Sequence, residues 1–285
     1  MILTPRQLEE LKKAELDILV AVVDVCERLH LRYYLLCGTL LGAVRHQGFI
    51  PWDDDIDIGM MREDYTLFLE KAPSMLPKHL FLQTIWTDPG YMACFAKVRN
   101  NNTTFVENTV SNRSMHHGVF IDIFPLDYYP ENVKEQKRLQ RRKKRYEHRL
   151  ISEYVMLDLK LKHKLYYTAY RLLYPSLRNV LKKRERMFCA VPKSAMVADY
   201  GGYLKETAPI EWYGEGVPIW FEGLQLRAPA EYDKLLTQIY GDYMIPPPEE
   251  QREGHHYVQA FDLEKPYTEY VKDYRKGRIE LIKHS

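Results

Sequence analysis

Two aspartates separated by one residue, Asp55 and Asp57, are the strongest chemical feature of the chain, set in the run Pro51-Trp52-Asp53-Asp54-Asp55-Ile56-Asp57-Ile58. In a strand, alternate side chains leave the same face, so both carboxylates project together while Ile56 and Ile58 enter the core. Carboxylates held side by side repel each other unless a cation lies between them, and hard oxygen donors suit Mg²⁺ or Mn²⁺. Upstream, Gly38-Thr39 stands where an apolar strand, Tyr33 to Cys37, gives way to a short helix. A glycine there lets the backbone approach a ligand, and the free N–H groups of a helix start favour a phosphate. Arg45, about two turns further on, can reach a second phosphate oxygen. An anion cradle beside a metal-binding acid pair is the apparatus of nucleotidyl or phosphoryl transfer. Each piece alone is weak: Asp53-Asp54 reads as a turn and Gly42 as a close-packing site.

The elements that must position these groups follow from periodicity. Thr4-Pro5-Arg6-Gln7 is a capping box with proline at the first helical position, opening a helix whose apolar residues recur at helical spacing from Leu8 to Leu29. That helix is expected to support a sheet and to carry no chemistry. Arg62 to Leu76 reads as a helix ending at Pro77, and Phe81–Ile85 and Cys94–Arg99 as paired strands around the turn Asp88-Pro89-Gly90. Lys97 and Arg99 share one face of the second strand, either as a solvated edge or as a binder of a diphosphate. Thr103 to Val106 can form a further strand. In His117-Gly118-Val119-Phe120-Ile121-Asp122-Ile123-Phe124-Pro125, a lone aspartate sits on an apolar strand, which is costly unless it is paired or bound to a metal. Asp127, past the proline, reads as a turn residue, and His116 and His117 as loop histidines. Toward the end, a hairpin around Glu222-Gly223 and a helix from Glu231 to Tyr240 closed by Gly241 are expected. His255-His256 lacks a second ligand pair at metal spacing and reads as a loop.

The assembled run GTLLGAVRHQGFIPWDDDIDIG, from Gly38 to Gly59, resembles the signature of the LicD family of phosphocholine and polyol-phosphate transferases, relatives of the fukutin-type proteins within the nucleotidyltransferase superfamily. The Ile121–Pro125 strand and the stretch from Trp220 to Pro248 resemble the family too. The resemblance implies an α+β fold, a nucleotidyltransferase-like mixed β-sheet flanked by helices. It also implies a metal site of Asp55 and Asp57, completed by a third carboxylate from a neighbouring strand, which matches Asp122. On this reading Asp122 also helps deprotonate the acceptor hydroxyl. Gly38, Thr39 and Arg45 would hold donor phosphate, with Lys97 or Arg99 on the diphosphate. The implied donor is a CDP-alcohol, foremost CDP-choline, and the acceptor a hydroxyl of a cell-surface glycan, lipid-linked glycan or teichoic-acid precursor. Choline needs aromatic faces around its ammonium; among Trp52, Trp86, Trp212 and Trp220, Trp52 is favoured because it adjoins the metal strand. CDP-ribitol or CDP-glycerol as donor, nucleotidyl transfer to a small molecule, and a non-catalytic membrane scaffold are the rival readings.

Between the matched stretches the composition changes. Lys134 to Arg149 carries nine Lys and Arg against Glu135 and Glu147, and a second basic, Tyr- and Leu-rich helical tract runs from Ile151 to Met187, broken at Pro175. A solvated helical face, attachment to an anionic membrane surface, and nucleic-acid binding are its three readings, the last disfavoured by a net charge of only +2 for the 285 residues. The expected organisation is a catalytic core over residues 1–130, a basic helical insert over 131–190, and a C-terminal part over 191–285 that completes the catalytic domain. Hydrophobic residues at 46% suffice for a core. The four cysteines are scattered, read as buried thiols, and suggest neither zinc nor a disulfide framework. No signal sequence or apolar span of membrane length is evident, so a cytoplasmic protein, with peripheral contact at the inner face of the membrane, is expected.

Overall fold

The computed structural model describes residues 2–154, 161–200, 207–252, 254, 256–274 and 278–281. It begins with helix α1 (Pro5–Arg28), whose start is fixed as expected: the Thr4 hydroxyl accepts the Gln7 N–H, and the Gln7 side chain accepts the Thr4 N–H. Strand β1 (Tyr34–Leu35) is only two residues long and hands over to α2 (Cys37–His46). After the acidic loop come β2 (Asp57–Met61), α3 (Arg62–Lys71), β3 (Leu80–Gln83), β4 (Ala96–Asn100), β5 (Thr104–Glu107) and β6 (Phe120–Tyr129). Helix α3 stops at Lys71, earlier than Leu76, because Pro73 cannot continue the hydrogen-bond ladder and a 3-10 turn over Ala72–Ser74 takes its place. The basic insert is helical throughout its described length: α4 (Val133–Tyr154), α5 (Leu161–Leu173) and α6 (Leu177–Cys189), with Pro175 between the last two. Then follow β7 (Met196–Asp199), β8 (Ala208–Pro209), β9 (Val217–Phe221), β10 (Leu224–Ala228), α7 (Tyr232–Tyr240), β11 (Val258–Asp262), β12 (Val271–Tyr274) and β13 (Arg278–Leu281). The β9–β10 hairpin turns at Glu222 and Gly223, with φ of 48° and 77°. Two consecutive left-handed residues match the twist of the flanking strands.

The architecture is α+β. A mixed sheet runs in the order β1-β2-β6-β4-β3, and β7 and then β8 continue it from the second half of β6. Strand β6 is the spine: it is parallel to β2, antiparallel to β4 through Ile123, and antiparallel to β7 from Leu126. Pro125 falls between the stretches paired with β4 and β7, so the strand passes through it without ending. Asp127 is therefore a buried strand residue, not the expected turn residue, and it forms a bidentate ion pair with Arg62.

The main apolar core unites α1 and the sheet with Tyr213, Phe221, Leu235, Leu236 and Val258 from beyond the insert. Burial of each such Leu or Phe contributes about 1.5–3 kcal/mol. The insert is fastened separately, by one small cluster around Tyr129, Leu139, Met187 and Phe188 and another around Met92, Leu150, Val180 and Leu181. The buried Arg184 of α6 donates to the carbonyls of Met92 and Ala93 at 2.8 and 2.7 Å, tying the insert to the segment that leads into β4. Among the described residues no helix is long and apolar enough to cross a membrane. The four cysteines form no disulfide, and only Cys26 is fully buried as expected: Cys37 and Cys94 are half-buried, and Cys189, the last residue of α6, is exposed.

Candidate active site

Strand register builds the centre of the site. Asp57 of β2 lies directly opposite Asp122 of β6, Asp122 opposite Lys97 of β4, and Lys97 opposite Gln83 of β3. Residues in register share a face, so these side chains form one row across four strands. Two like charges are thus placed side by side, and a cation follows: Lys97 Nζ lies 2.8 and 3.1 Å from the two Asp122 carboxylate oxygens, with both side chains buried. One step along the same face is Phe120, whose ring lies under Lys97 Nζ at 3.3 Å and under the Arg99 guanidinium at 4.6 Å.

Asp55 is not on the strand with Asp57. Strand β2 starts at Asp57, and Asp53, Asp54 and Asp55 form the loop that enters it. Far from being a surface turn, Asp53 and Asp54 are 5% and 4% exposed. One carboxylate oxygen from each of Asp53, Asp54 and Asp55 lies within 4.8 Å of the other two, a spacing at which the three could hold one metal ion. Burial first, then repulsion from Asp54, pushes the Asp53 carboxyl up to about 6. Burial and then Asp53 push Asp55 up to about 7. Asp57 is raised well above the ordinary carboxylate range, by burial and then by Asp55 and Asp122. Asp122 is raised by burial, with Lys97 opposing. Four buried carboxyls pushed toward neutrality, three of them also by one another, are the electrostatic situation a divalent cation relieves.

The surrounding elements hold this loop from three directions. The Thr39 hydroxyl accepts the Asp57 N–H at 2.8 Å, so Thr39 pins the start of β2. Gly38 is needed because a Cβ there would collide with an Asp53 carboxylate oxygen, so the expected phosphate cradle at the start of α2 holds the Asp53 carboxylate. Lys12 of α1 donates to the carbonyls of Ile50 and Pro51 at 3.0 and 2.9 Å. The hairpin tip supplies Glu222, whose carboxylate accepts the Phe49 N–H at 3.0 Å. Arg45 points toward the C-terminal segment, donating to the Tyr243 carbonyl at 2.8 Å. Trp52 lies beside the acids with the Arg252 guanidinium 5.4 Å from its ring centroid. The other tryptophans are spread elsewhere: Trp86 lies against Lys182, Trp212 packs on the main core, and Trp220 faces solvent on β9.

Arg99 takes a bracing part, not a surface-facing one. It is wholly buried, and its guanidinium donates to Gln83, to the Gly118 carbonyl and to Glu107. His116 and His117 are loop residues, as expected, but buried ones; burial holds them at about 3 and about 4, so both are neutral.

Three further groups at the site escaped sequence reasoning. His256 receives the Asp54 carboxylate on both its backbone N–H (3.0 Å) and Nδ1 (3.1 Å), and its Nε2 lies 3.8 Å from Glu107. Burial disfavours its charge, but the Asp54 hydrogen bond, Asp55 and Glu107 outweigh that and hold it up to about 9. Glu107 is opposed by burial too, yet Lys97, Arg99 and His256 bring it down to about 2. The pairing of β11 with β5 brings His256 and Glu107 together across 149 positions of sequence, which no local spacing could signal. His255 lies outside the described residues. Glu15 of α1 is fully buried, raised by burial and then by Asp55, Asp54, Asp53 and Asp122, and its Oε2 has no hydrogen-bond partner. Its signal was in the sequence: it interrupts the apolar stripe between Leu11 and Ile18.

Known proteins resemble the chain over most of its length. The model of the LicD/FKTN/FKRP nucleotidyltransferase domain matches residues 30–159. The chain is 31% identical over 260 residues to the lipopolysaccharide cholinephosphotransferase LicD of Haemophilus influenzae, covering 87% of this chain and 95% of that one. A short segment of 43 residues is 54% identical to the human ribitol 5-phosphate transferase FKRP, 15% of this chain and 9% of that protein. That alignment, over 87% of this chain and 95% of its relative, together with the family model, carries one conclusion: the chain belongs to the LicD family and is a phosphotransferase of the LicD type.

Proposed function

We propose that the protein transfers phosphocholine from CDP-choline to a hydroxyl of a cell-surface glycan precursor. The observation that carries this reading is the row Asp57–Asp122–Lys97 beside the buried Asp53–Asp55 loop, a concentration of oxygen donors with one cation already paired. Alignment with a cholinephosphotransferase over most of the chain supports choline as the alcohol. Asp55, Asp57 and Asp122 would hold Mg²⁺ or Mn²⁺, with Asp53 and Asp54 as further oxygen donors in reach. The ion, when bound, would neutralise charge on the donor diphosphate.

The chain's own groups account for the rest. The acceptor oxygen attacks the phosphorus that bears the choline, the bond from that phosphorus to the CMP oxygen breaks, and the acceptor proton passes to the Asp122 carboxylate. Lys97 keeps Asp122 charged enough to take it, since an unpaired carboxylate at that depth would be neutral. Arg45 and Arg252 place positive charge at the rim by Trp52, where an entering diphosphate is attracted. The ring of Trp52 already faces a cation, Arg252, and a trimethylammonium group would compete for that face.

CMP release from the purified protein tests the reading, with Mg²⁺ and a crude glycan extract, across CDP-choline, CDP-ethanolamine, CDP-ribitol and CDP-glycerol. Release from CDP-choline alone, lost in EDTA, is the expected result. Release from CDP-ribitol or CDP-glycerol instead would establish a polyol-phosphate transferase, a reading favoured by the segment shared with FKRP and by the spread of the other tryptophans. Silence on all four with metal bound would favour nucleotidyl transfer, and silence without metal a scaffold.

A further inference from the structure

The net charge of +2 conceals a segregation. Residues 133–189, the stretch of α4 to α6, contain 18 Lys and Arg against 5 Asp and Glu, while the rest of the chain contains 23 against 34. On α4, Lys137, Arg138, Arg141, Arg142, Lys144 and Arg145 are all exposed. Helix α5 packs on α4 through Tyr167 and Tyr170, whose rings meet His148, and through Arg171, which donates to the Ser152 carbonyl and pairs with Glu153. The opposite side of α5 is open and mostly apolar, with Lys162 and Thr168 at its borders. Leu165, Leu172 and Leu173 are 65%, 77% and 71% exposed, with Ala169 also exposed between them. Positions 165, 169, 172 and 173 fall on one face of a helix. Single exposed leucines are ordinary, but a contiguous stripe of them on one helix marks an interaction surface.

We infer that this face docks on an anionic lipid bilayer, α5 lying in the interface with its leucines in the acyl boundary and the cations of α4 and α6 against headgroup phosphates. The occupant is chosen by charge: an apolar stripe bordered by a cationic field complements a surface that is apolar beneath and negative above. Tyr170 and Arg171 of α5 are spent on α4, and the leucines stand outward with the exposed Lys162, a cation beside the apolar stripe.

Co-sedimentation of the full chain with vesicles of phosphatidylcholine alone, and of equimolar phosphatidylcholine and phosphatidylglycerol, tests this. Affinity for the anionic vesicles should be at least about tenfold higher and should weaken with added salt. The double variant L172E/L173E and, separately, the triple variant K137E/R141E/K144E should each lower it about tenfold or more, with CMP release from soluble donor unchanged. All five positions are exposed, so folding should survive, and a melting curve for each checks this. Equal partition to both vesicle types would overturn the inference. So would anionic binding that L172E/L173E leaves intact but a single-stranded oligonucleotide displaces, which would make the insert a polyanion site. A lipid-free dimer that L172E/L173E dissolves would assign the stripe to a second copy and overturn it as well.

Discussion

The acidic corner and the basic insert use charge in opposite ways. In the corner, Asp53, Asp54, Asp57, Lys97, Glu107 and Asp122 are all buried; burial raises the Asp53, Asp57 and Asp122 carboxyls, whereas burial of Glu107 is outweighed by the cations Lys97, Arg99 and His256 from other segments. In the insert, most of the cations of α4 stand in water. Buried charge is expensive and must be specified by tertiary contacts, whereas exposed charge is cheap and its position is specified by the helix that carries it. The comparison teaches where function is fragile: one atom moved in the corner matters, and several residues changed in the insert leave the fold alone.

The sharpest contrast is in turnover. Asp57→Asn should lower CMP release by about a thousandfold or more while the protein stays folded, its melting temperature unchanged or higher because a neutral amide of the same shape replaces a buried acid that Asp55 and Asp122 disfavour in its charged form. A variant with near-normal turnover would remove Asp57 from the reaction. Next in size is the ion pair of Lys97 and Asp122. Lys97→Met leaves Asp122 without its cation and should cost about 3 kcal/mol or more in denaturant unfolding. An equally chosen cation of the insert, Lys137→Met, should change stability by no more than about 0.5 kcal/mol.

Metal should separate the regions again. With Mg²⁺ at about a hundred times its dissociation constant, the melting temperature should rise by several degrees, an increment of about 2.7 kcal/mol. The sign with pH follows from the raised carboxyls. Their folded values of about 6 for Asp53 and about 7 for Asp55 lie above the ordinary 3.8, so without metal stability falls as pH rises through that range. The metal-dependent increment should therefore be larger at pH 8 than at pH 5.5, and a flat increment would place the ion elsewhere. A smaller effect isolates His256. Its folded value, about 9, lies above 6.5, so its contribution is complete below pH 6.5 and lost as pH rises through about 9. His256→Gln should destabilise by about 1–2 kcal/mol at pH 6 and much less at pH 9.5, as followed by urea unfolding.

How much of this was legible beforehand differs between the same two regions. The capping box of α1, the insert's helices, the Glu222-Gly223 hairpin and the Asp57 strand all announce themselves within a few residues, because caps, periodicity and turn chemistry are local. Misreadings came where one local rule competed with another. Pro73 cut α3 short, and Pro125 suggested an end to a strand that continues because its partners change there. The face shared by Lys97 and Arg99 was visible in the alternation, but only the pairing of β4 with β6 turned Lys97 onto Asp122 and buried Arg99 among Gln83, Gly118 and Glu107.

The sequence by itself determined the elements, the family through the run from Gly38 to Gly59, and the oxygen-rich chemistry of the acids. Tertiary structure alone decided that Asp53 and Asp54 are inside, that the cradle over Gly38 holds a carboxylate, and that Glu15, Glu107 and His256 belong to the same cluster. The reason is the range of the forces. Backbone propensity acts over a turn or two, whereas burial and Coulomb interaction join whichever groups the strand register brings within a few ångströms, however far apart they stand in the chain.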